Sequence, residues 1–271
     1  MTVAVSRKAS PAATPGASVI FHREGAVAWI TLSNASRLNA MTRAMWRELR
    51  DAFVFAGNDE GLRCIVVRGA GNAFGAGGDI SEYPSFRFDT ERLRAFHEDE
   101  VWTPLQAMLD CRVPLVAQIE GACMGAGLEI ASCCDIRIAG VSAKFGAPIA
   151  KLGFPMAPRE AALVCGAIGN ALGRDMLLAA SVHSATRLYD AGFLLHVLPD
   201  AEVPGAAHDH ALRIAALAPR AARLNKRTFA ALNASASSEV LGLLPNAYDY
   251  ADSPEHREGI AAFLAKRAPD F

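Results

Sequence analysis

Apolar residues fall in two patterns along this chain. Short β-branched runs dominate the first two hundred positions, and helical spacing dominates the rest. The run Ala26 to Leu32 reads as a strand. After a polar stretch from Ser33 to Asn39, Thr42 can cap a helix that places Met45, Leu49, Ala52, Phe53 and Ala56 on one face, and Gly57-Asn58 stops it. Cys64 to Val67 is a second strand. A helix between two strands makes a crossover and a parallel pair. The theme recurs with strands at Val113–Ile119 and Asp135–Ala139, separated by a glycine-rich turn opening into a short helix over 121–134. This predicts an α/β fold. From about Asp200 the pattern is helical: Ala206–Leu217, then a helix from Pro219 to about Leu232, and a last one opened by Ser253-Pro254-Glu255 and running through Ile260, Phe263 and Leu264. The expected organisation is a flexible tail over 1–17, an α/β core over 18–200 and a helical region over 201–271. A helical region of about 70 residues buries little by itself, so it should pack on the core or on another subunit.

Composition narrows the class. The chain has 271 residues, 52% hydrophobic and 20% charged, which excludes disorder over most of its length. A net charge of -1 leaves no basic excess for general nucleic-acid binding, although two or three local cations could still serve a phosphate-bearing ligand. No apolar run approaches the ~18 residues needed to span a bilayer. The six cysteines form no C-x-x-C pair and sit mostly in apolar stretches, as buried free thiols of a reducing compartment do. The first eighteen residues lack a secretory apolar core and read as a floppy tail, with an organelle-targeting segment as the weaker alternative to a cytoplasmic protein.

Two glycine-rich turns are the candidate chemistry. Residues 73–80 (AFGAGGDI) follow the Cys64–Val67 strand, and residues 121–129 (GACMGAGLE) follow the Val113–Ile119 strand. Small residues let backbone N–H groups approach a ligand, and at a helix start those groups are unsatisfied. Two such turns side by side can aim two donors at one oxygen, forming an oxyanion hole. Taken singly, each is equally accounted for by glycines that only permit tight packing. Neither turn carries the dinucleotide or Walker A spacing. Glu129 lies among Ala126, Leu128, Ile130 and Cys133, where burial would raise its pKa into a useful range. Asp135 reads as structural. His208-x-His210 has metal-compatible spacing but no evident partner, and no metal is expected. His97-Glu98-Asp99-Glu100 reads as a solvated charged face.

These features together resemble the enoyl-CoA hydratase/isomerase, or crotonase, superfamily. The resemblance runs from about Val19 to Phe271. It is carried by Arg37-Leu-Asn-Ala-Met41, the Phe74–Ile80 turn, Pro114 to Asp135, Phe145-Gly-Ala-Pro148, Leu152-Gly153 and Phe263-Leu-Ala-Lys-Arg267. It implies a spiral of ββα turns with a C-terminal helical trimerisation domain, and a homotrimer or dimer of trimers. It also implies an acyl-CoA thioester substrate, with coenzyme A as part of the substrate and no separate cofactor. By position, Gly78 and Ala126 would donate the oxyanion-hole N–H groups. Ala76 and the stretch Gly78, Asp79, Ile80 and Ser81 would line the thioester end. Arg37, Leu38 and Ala40 would contact CoA, and Phe263 and Lys266 would reach a neighbouring subunit's CoA.

Departures from the family pattern matter as much. Relatives that hydrate carry two glutamates. The first matches Glu129, but the position of the second is Ile149. The glycine-rich stretch after Leu152-Gly153 is replaced by Phe154-Pro-Met-Ala-Pro-Arg-Glu160, and a frequent family lysine is Ser81. Glu160, or an acid from the His97–Glu100 stretch in the wall of the acyl pocket, is a candidate substitute. Hydration or dehydration of a 2-enoyl-CoA is the leading expectation. Isomerisation, decarboxylation, C–C cleavage or a non-catalytic acyl-CoA-binding role are the alternatives.

Overall fold

The computed structural model describes residues 16–233, 245, 248, 251–267 and 269. The expected tail lies almost wholly outside these. The first described element is a strand absent from the sequence reading, β1 (Ser18–Glu24), which pairs antiparallel with β2 (Val27–Ser33). The polar alternation of β1 conceals it, because as an edge strand only one of its faces is packed.

Helix α1 (Arg43–Gly57) follows, its N-terminus capped by the Thr42 hydroxyl accepting from Met45 N–H at 3.1 Å. Its buried face is Met45, Trp46, Leu49, Phe53 and Ala56, with Ala52 packed at its margin. Strand β3 (Cys64–Gly69) then pairs parallel with β2, as the crossover requires. Strands β4 (Leu115–Ile119), β6 (Ile136–Gly140) and β9 (His196–Leu198) complete a six-stranded sheet in the order β1-β2-β3-β4-β6-β9, parallel except for β1. Strand β4 starts later than the pattern suggested because Pro114 cannot donate to a ladder. Asp135 is the structural residue expected, accepting from Leu115 N–H at 2.7 Å and from Lys226 at 2.9 Å.

A second, three-stranded sheet was not legible at all. It contains β5 (Ala122–Met124), β7 (Lys144–Gly146) and β8 (Val182–Ser184) in the order β5-β7-β8. Three-residue strands inside glycine-rich turns carry too little periodicity to read. With them the repeat becomes clear. Strand β4 enters β5 and then helix α4 (Ala126–Ser132); β6 enters β7 and then α5 (Pro158–Ile168). After β3, Gly75 makes a single parallel bridge to Cys123 of β5. Successive ββα turns thus wind a spiral whose second strands all lie in the small sheet.

The large sheet buries both faces, as parallel sheets do. Ile65, Val67, Leu115, Ala117 and Ile119 point to the main core. Cys64, Val66, Val116 and Ile138 point the other way, against Val203, Ala207 and Ala211. Those three belong to a helix over Val203–Ala215 that starts earlier than expected because Pro204 suits its first turn. The helical region therefore does pack on the core. The following helix, Pro219–Asn233, is anchored by Lys226 and by Arg223 donating to the Glu60 and Leu62 carbonyls. The last, Pro254–Leu264, is capped by Ser253 as the sequence indicated and lies on the short turns over 149–152 and 80–85. The approach is close: a Cβ on Gly259 would sit 2.1 Å from the Leu152 carbonyl. All six cysteines are free, and five are buried. Burial pushes the Cys64 and Cys134 thiols up to about 12, which makes them inert rather than reactive. Among the described residues no helix is long and apolar enough to cross a membrane.

Candidate active site

The two glycine-rich turns are stitched together. Phe74 and Gly75 N–H both donate to the Ala122 carbonyl, and Met124 N–H donates back to the Gly75 carbonyl at 2.8 Å. Gly127 passes so near that a Cβ there would meet the Gly75 oxygen at 2.6 Å, so glycine is required for the approach. Gly77 (φ 110°) and Gly125 (φ 47°) take left-handed backbone and come within contact of each other. Those conformations turn the next two N–H groups, of Gly78 and Ala126, away from the ladder. Neither donates to any described protein group. Ala126 opens α4, so its N–H is one of the helix's unsatisfied donors.

The Arg37–Met41 loop fastens to the first turn. Ala76 N–H donates to the Leu38 carbonyl at 2.9 Å, Met41 N–H to Gly77 at 2.8 Å, and Asp79 N–H to Met41 at 2.8 Å. Asn39, fully buried, holds the loop from beneath, donating to the Ala70 and Ala73 carbonyls. Asp79 is also buried. It caps Ser81 N–H and accepts from Arg37 at 2.6 Å, while Arg37 reaches the Ser81 hydroxyl at 2.7 Å. Expected to line the thioester end, Asp79 and Ser81 here clamp two loops together. Leu38 is exposed, Ala40 is buried, and Lys266 is exposed beyond the last helix.

A cavity of about 200 Å³ opens from these turns. Ala76, Gly78, Ile80 and Ala126 border it, and Ile149, Phe154 and Met156 form an apolar side. Phe263 lines the cavity of its own chain. It reaches the cavity because the last helix folds back over the turns at 80–85 and 149–152.

Glu129 and Glu160 both line this cavity, and both are buried. Glu160 is set there by its own helix start. Ala157 is the N-cap of α5, Pro158 its first residue, and the Glu160 carboxylate reaches back to the Ala157 N–H. It also bonds His97 Nδ1 at 2.7 Å. Burial is the main cause of a raised pKa at both acids. It takes Glu160 to about 8, and it takes Glu129 well above the ordinary carboxylate range, with the charge of Glu160 pushing the same way. Burial likewise drives His97 well below 6.5, leaving it neutral. Its Nε2 makes no hydrogen bond among the described residues.

The 97–100 stretch is not the solvated face its charges suggested. A π-turn over Phe96–Val101, between α2 (Thr90–Ala95) and α3 (Trp102–Asp110), rotates His97 inward. Glu100 pairs with Arg43 of α1, and Glu98 with Arg159 at 3.0 Å and with the Tyr248 hydroxyl. Tyr248 stacks on the His97 ring at 5.6 Å.

Sequence reasoning missed Arg87, which lines the cavity and is almost wholly buried. Its guanidinium lies over Phe154 at 3.9 Å and Tyr83 at 4.5 Å. The available signal was its aromatic setting, Tyr83, Phe86 and Phe88 around one arginine. The paired histidines proved to be surface ring contacts: His208 faces Trp29 at 5.9 Å and His210 faces His196 at 6.4 Å.

The raised Glu160 pKa has a consequence for stability. The unfolded chain releases this proton near 4.5, and the folded protein keeps it to about 8. The wild type therefore loses stability as pH rises between those values, by up to about 1.4 kcal/mol per pH unit, and no further above. Gln at position 160 has no proton to lose. Denaturant melts should show Glu160→Gln gaining on wild type from pH 5 to pH 8, by an amount on the order of a few kcal/mol. An unchanged difference would mean that Glu160 is ionised in the fold.

A spiral of ββα turns whose glycine turns leave two backbone N–H groups without a partner among the described residues, beside buried carboxyls, defines a crotonase-like scaffold. Residues 22–271 match the enoyl-CoA hydratase/isomerase family model, and the chain belongs to that family. It is 31% identical to the probable enoyl-CoA hydratase echA8 of Mycobacterium bovis, over 94% of this chain and 97% of the relative. Among solved structures it is similar to an enoyl-CoA hydratase/carnithine racemase from Magnetospirillum magneticum, with 36% identity, TM-score 0.77 and coverage of 93% and 94%. It is also similar to a methylmalonyl-CoA decarboxylase in complex with 2-nitronate-propionyl-CoA, with 26% identity, TM-score 0.81 and coverage of 93% and 97%.

Proposed function

We propose that this protein is a 2-enoyl-CoA hydratase in which Glu160, not a residue at 149, is the second carboxyl. The observation that carries the reading is that Glu129 and Glu160 face one cavity from opposite helix starts while Ile149 occupies the usual place. Hydration adds a water oxygen to C3 and a proton to C2. It needs a base to take a proton from water, and an acid to give one to C2. Two buried carboxyls that repel each other's charge do not both ionise readily, so one keeps its proton as the acid, and hydration begins when the other gives up its own to serve as base. The thioester oxygen gains charge as the enolate forms. In this reading Gly78 and Ala126 N–H donate to that oxygen as it gains charge. His97, bonded to Glu160 at 2.7 Å, keeps that carboxyl oriented. The Leu38 carbonyl accepts from Ala76, which borders the cavity, and in this reading the Arg37–Leu38 loop contacts the entering CoA thioester.

Assembly is part of this reading. Leu224 and Phe229 are exposed on the Pro219–Asn233 helix, and they would be covered by another copy in a cytoplasmic trimer or dimer of trimers.

The test is incubation with saturated and 2-unsaturated acyl-CoA esters in deuterated water. Exchange at the α-carbon of saturated esters, and hydration of the unsaturated ones, are the expected results. No exchange with any ester would overturn the enolate reading and leave an acyl-CoA-binding protein.

A further inference from the structure

Two acids share one cavity, and the groups around each carboxyl separate them. Glu160 sits in the first turn of α5, where the Ala157 N–H donates to its carboxylate and His97 Nδ1 lies 2.7 Å from it. The His97 ring is fixed by packing: Tyr248 stacks on it at 5.6 Å, and Phe96 meets it edge-on at 5.2 Å. Burial keeps the ring neutral, so it carries one N–H. Nε2 is buried without a partner among the described residues. Buried N–H groups are left unpaired more rarely than buried acceptors. The ring proton is therefore assigned to Nδ1, which donates to Glu160. Glu129 has no donor to its carboxylate among the described residues; burial and the Glu160 charge raise its pKa, and Arg87 opposes them. Two other charged groups act on Glu160 itself: Arg87 lowers it and Glu98 raises it. Arg87 donates to His256 Nε2 at 3.1 Å, a ring that burial and the Arg87 charge keep neutral by lowering its pKa to about 4. Glu98 pairs with Arg159 at 3.0 Å.

Burial does not distinguish the two acids, since it is the first cause of a raised pKa at both. Hydrogen bonds do, because donors to the ionised form are what let a buried acid give up its proton. Building on the reading of this site as an enoyl-CoA hydratase, we propose that Glu160 is the base on water, that Glu129 is the acid at C2, and that His97 is the positioning residue that divides the work between them by donating to Glu160. In hydration, Glu160 takes a proton from water as the water oxygen bonds to C3. The C2–C3 π electrons move onto the thioester as an enolate. The enolate then takes the Glu129 proton at C2. Glu160 ends protonated and Glu129 ionised, and proton exchange with solvent after product release restores the starting state.

Crotonyl-CoA and butyryl-CoA are the probes. For crotonyl-CoA, kcat/KM should rise about tenfold per pH unit below about 8 and level off above it, since only ionised Glu160 accepts a proton. His97→Phe removes the donor and should move that limb up by about one pH unit. His97→Asn keeps an N–H donor near the place of Nδ1 and should return the limb toward wild type. A rate lowered equally at every pH, with the limb unmoved, would make His97 merely structural and overturn its role. The two carboxyls are told apart by deuterium exchange at C2 of butyryl-CoA, which involves no addition of water. Glu129→Gln should lose both exchange and hydration by about 10²-fold or more, whereas Glu160→Gln should lose hydration by as much and keep exchange. Exchange that depends on Glu160, or on neither acid, overturns the assignment. That measurement alters nothing at position 97, so it decides even if the His97 variants fail to fold. Wild type that neither hydrates crotonyl-CoA nor exchanges butyryl-CoA overturns the hydratase reading, and the proposal with it; hydration with the two roles reversed overturns the proposal alone.

Discussion

Glu129→Gln and Glu160→Gln each lower hydration of a short 2-enoyl-CoA by about 10²- to 10⁴-fold, the usual worth of one positioned proton donor or acceptor. Binding of the unreactive saturated ester stays close to wild type, because neither change alters the apolar side or the mouth. The double variant falls little below the poorer single one, since an acid and a base that serve one addition act as a unit. Ile149→Glu in the Glu160→Gln background returns part of the loss, because residue 149 borders the same cavity. Loss of the enoyl-thioester absorbance measures all four. A Glu160→Gln enzyme as fast as wild type would assign all the proton transfer to Glu129 and return Glu160 to a structural role.

Ala126→Pro is the second large effect. Proline at the first position of a helix keeps the helix and deletes only the N–H. The expected loss is about 10²- to 10³-fold in kcat with a small change in KM, since the donor matters most when the thioester oxygen carries charge. A matching melting temperature would show that α4 survived. A variant with unchanged kcat would mean that the enolate oxygen sits elsewhere.

The parts of the fold that were legible in the sequence are those where local pattern and tertiary packing agree. Helix α1 shows its apolar stripe and cap, and β2, β3 and β4 show continuous apolar runs because the sheet buries both their faces. The small sheet was hidden because its strands have three residues each. In the site, Gly78, Ala126 and Glu129 could be found because the turns that present them are local in sequence. Glu160 could be named only as a substitute. What sets it apart in the structure is its bond to His97, a partner 63 residues away, brought in by a π-turn that no periodicity announces. Arg87 and His256 lie farther apart still, 169 residues, and nothing in either neighbourhood points to the other.

The last helix has a bearing on how the protein is made. Tyr248 on the His97 ring, His256 on Arg87 and Phe263 in the cavity wall all come from the final stretch of chain. A ribosome delivering the polypeptide from its N-terminus releases both sheets and both glycine turns well before these groups emerge. The growing chain can therefore fold its scaffold while the cavity stands open, and the acids become dry and proton-retaining only once that stretch has emerged. A stop codon near position 245 would leave the spiral and its two N–H donors in place around a site that water fills.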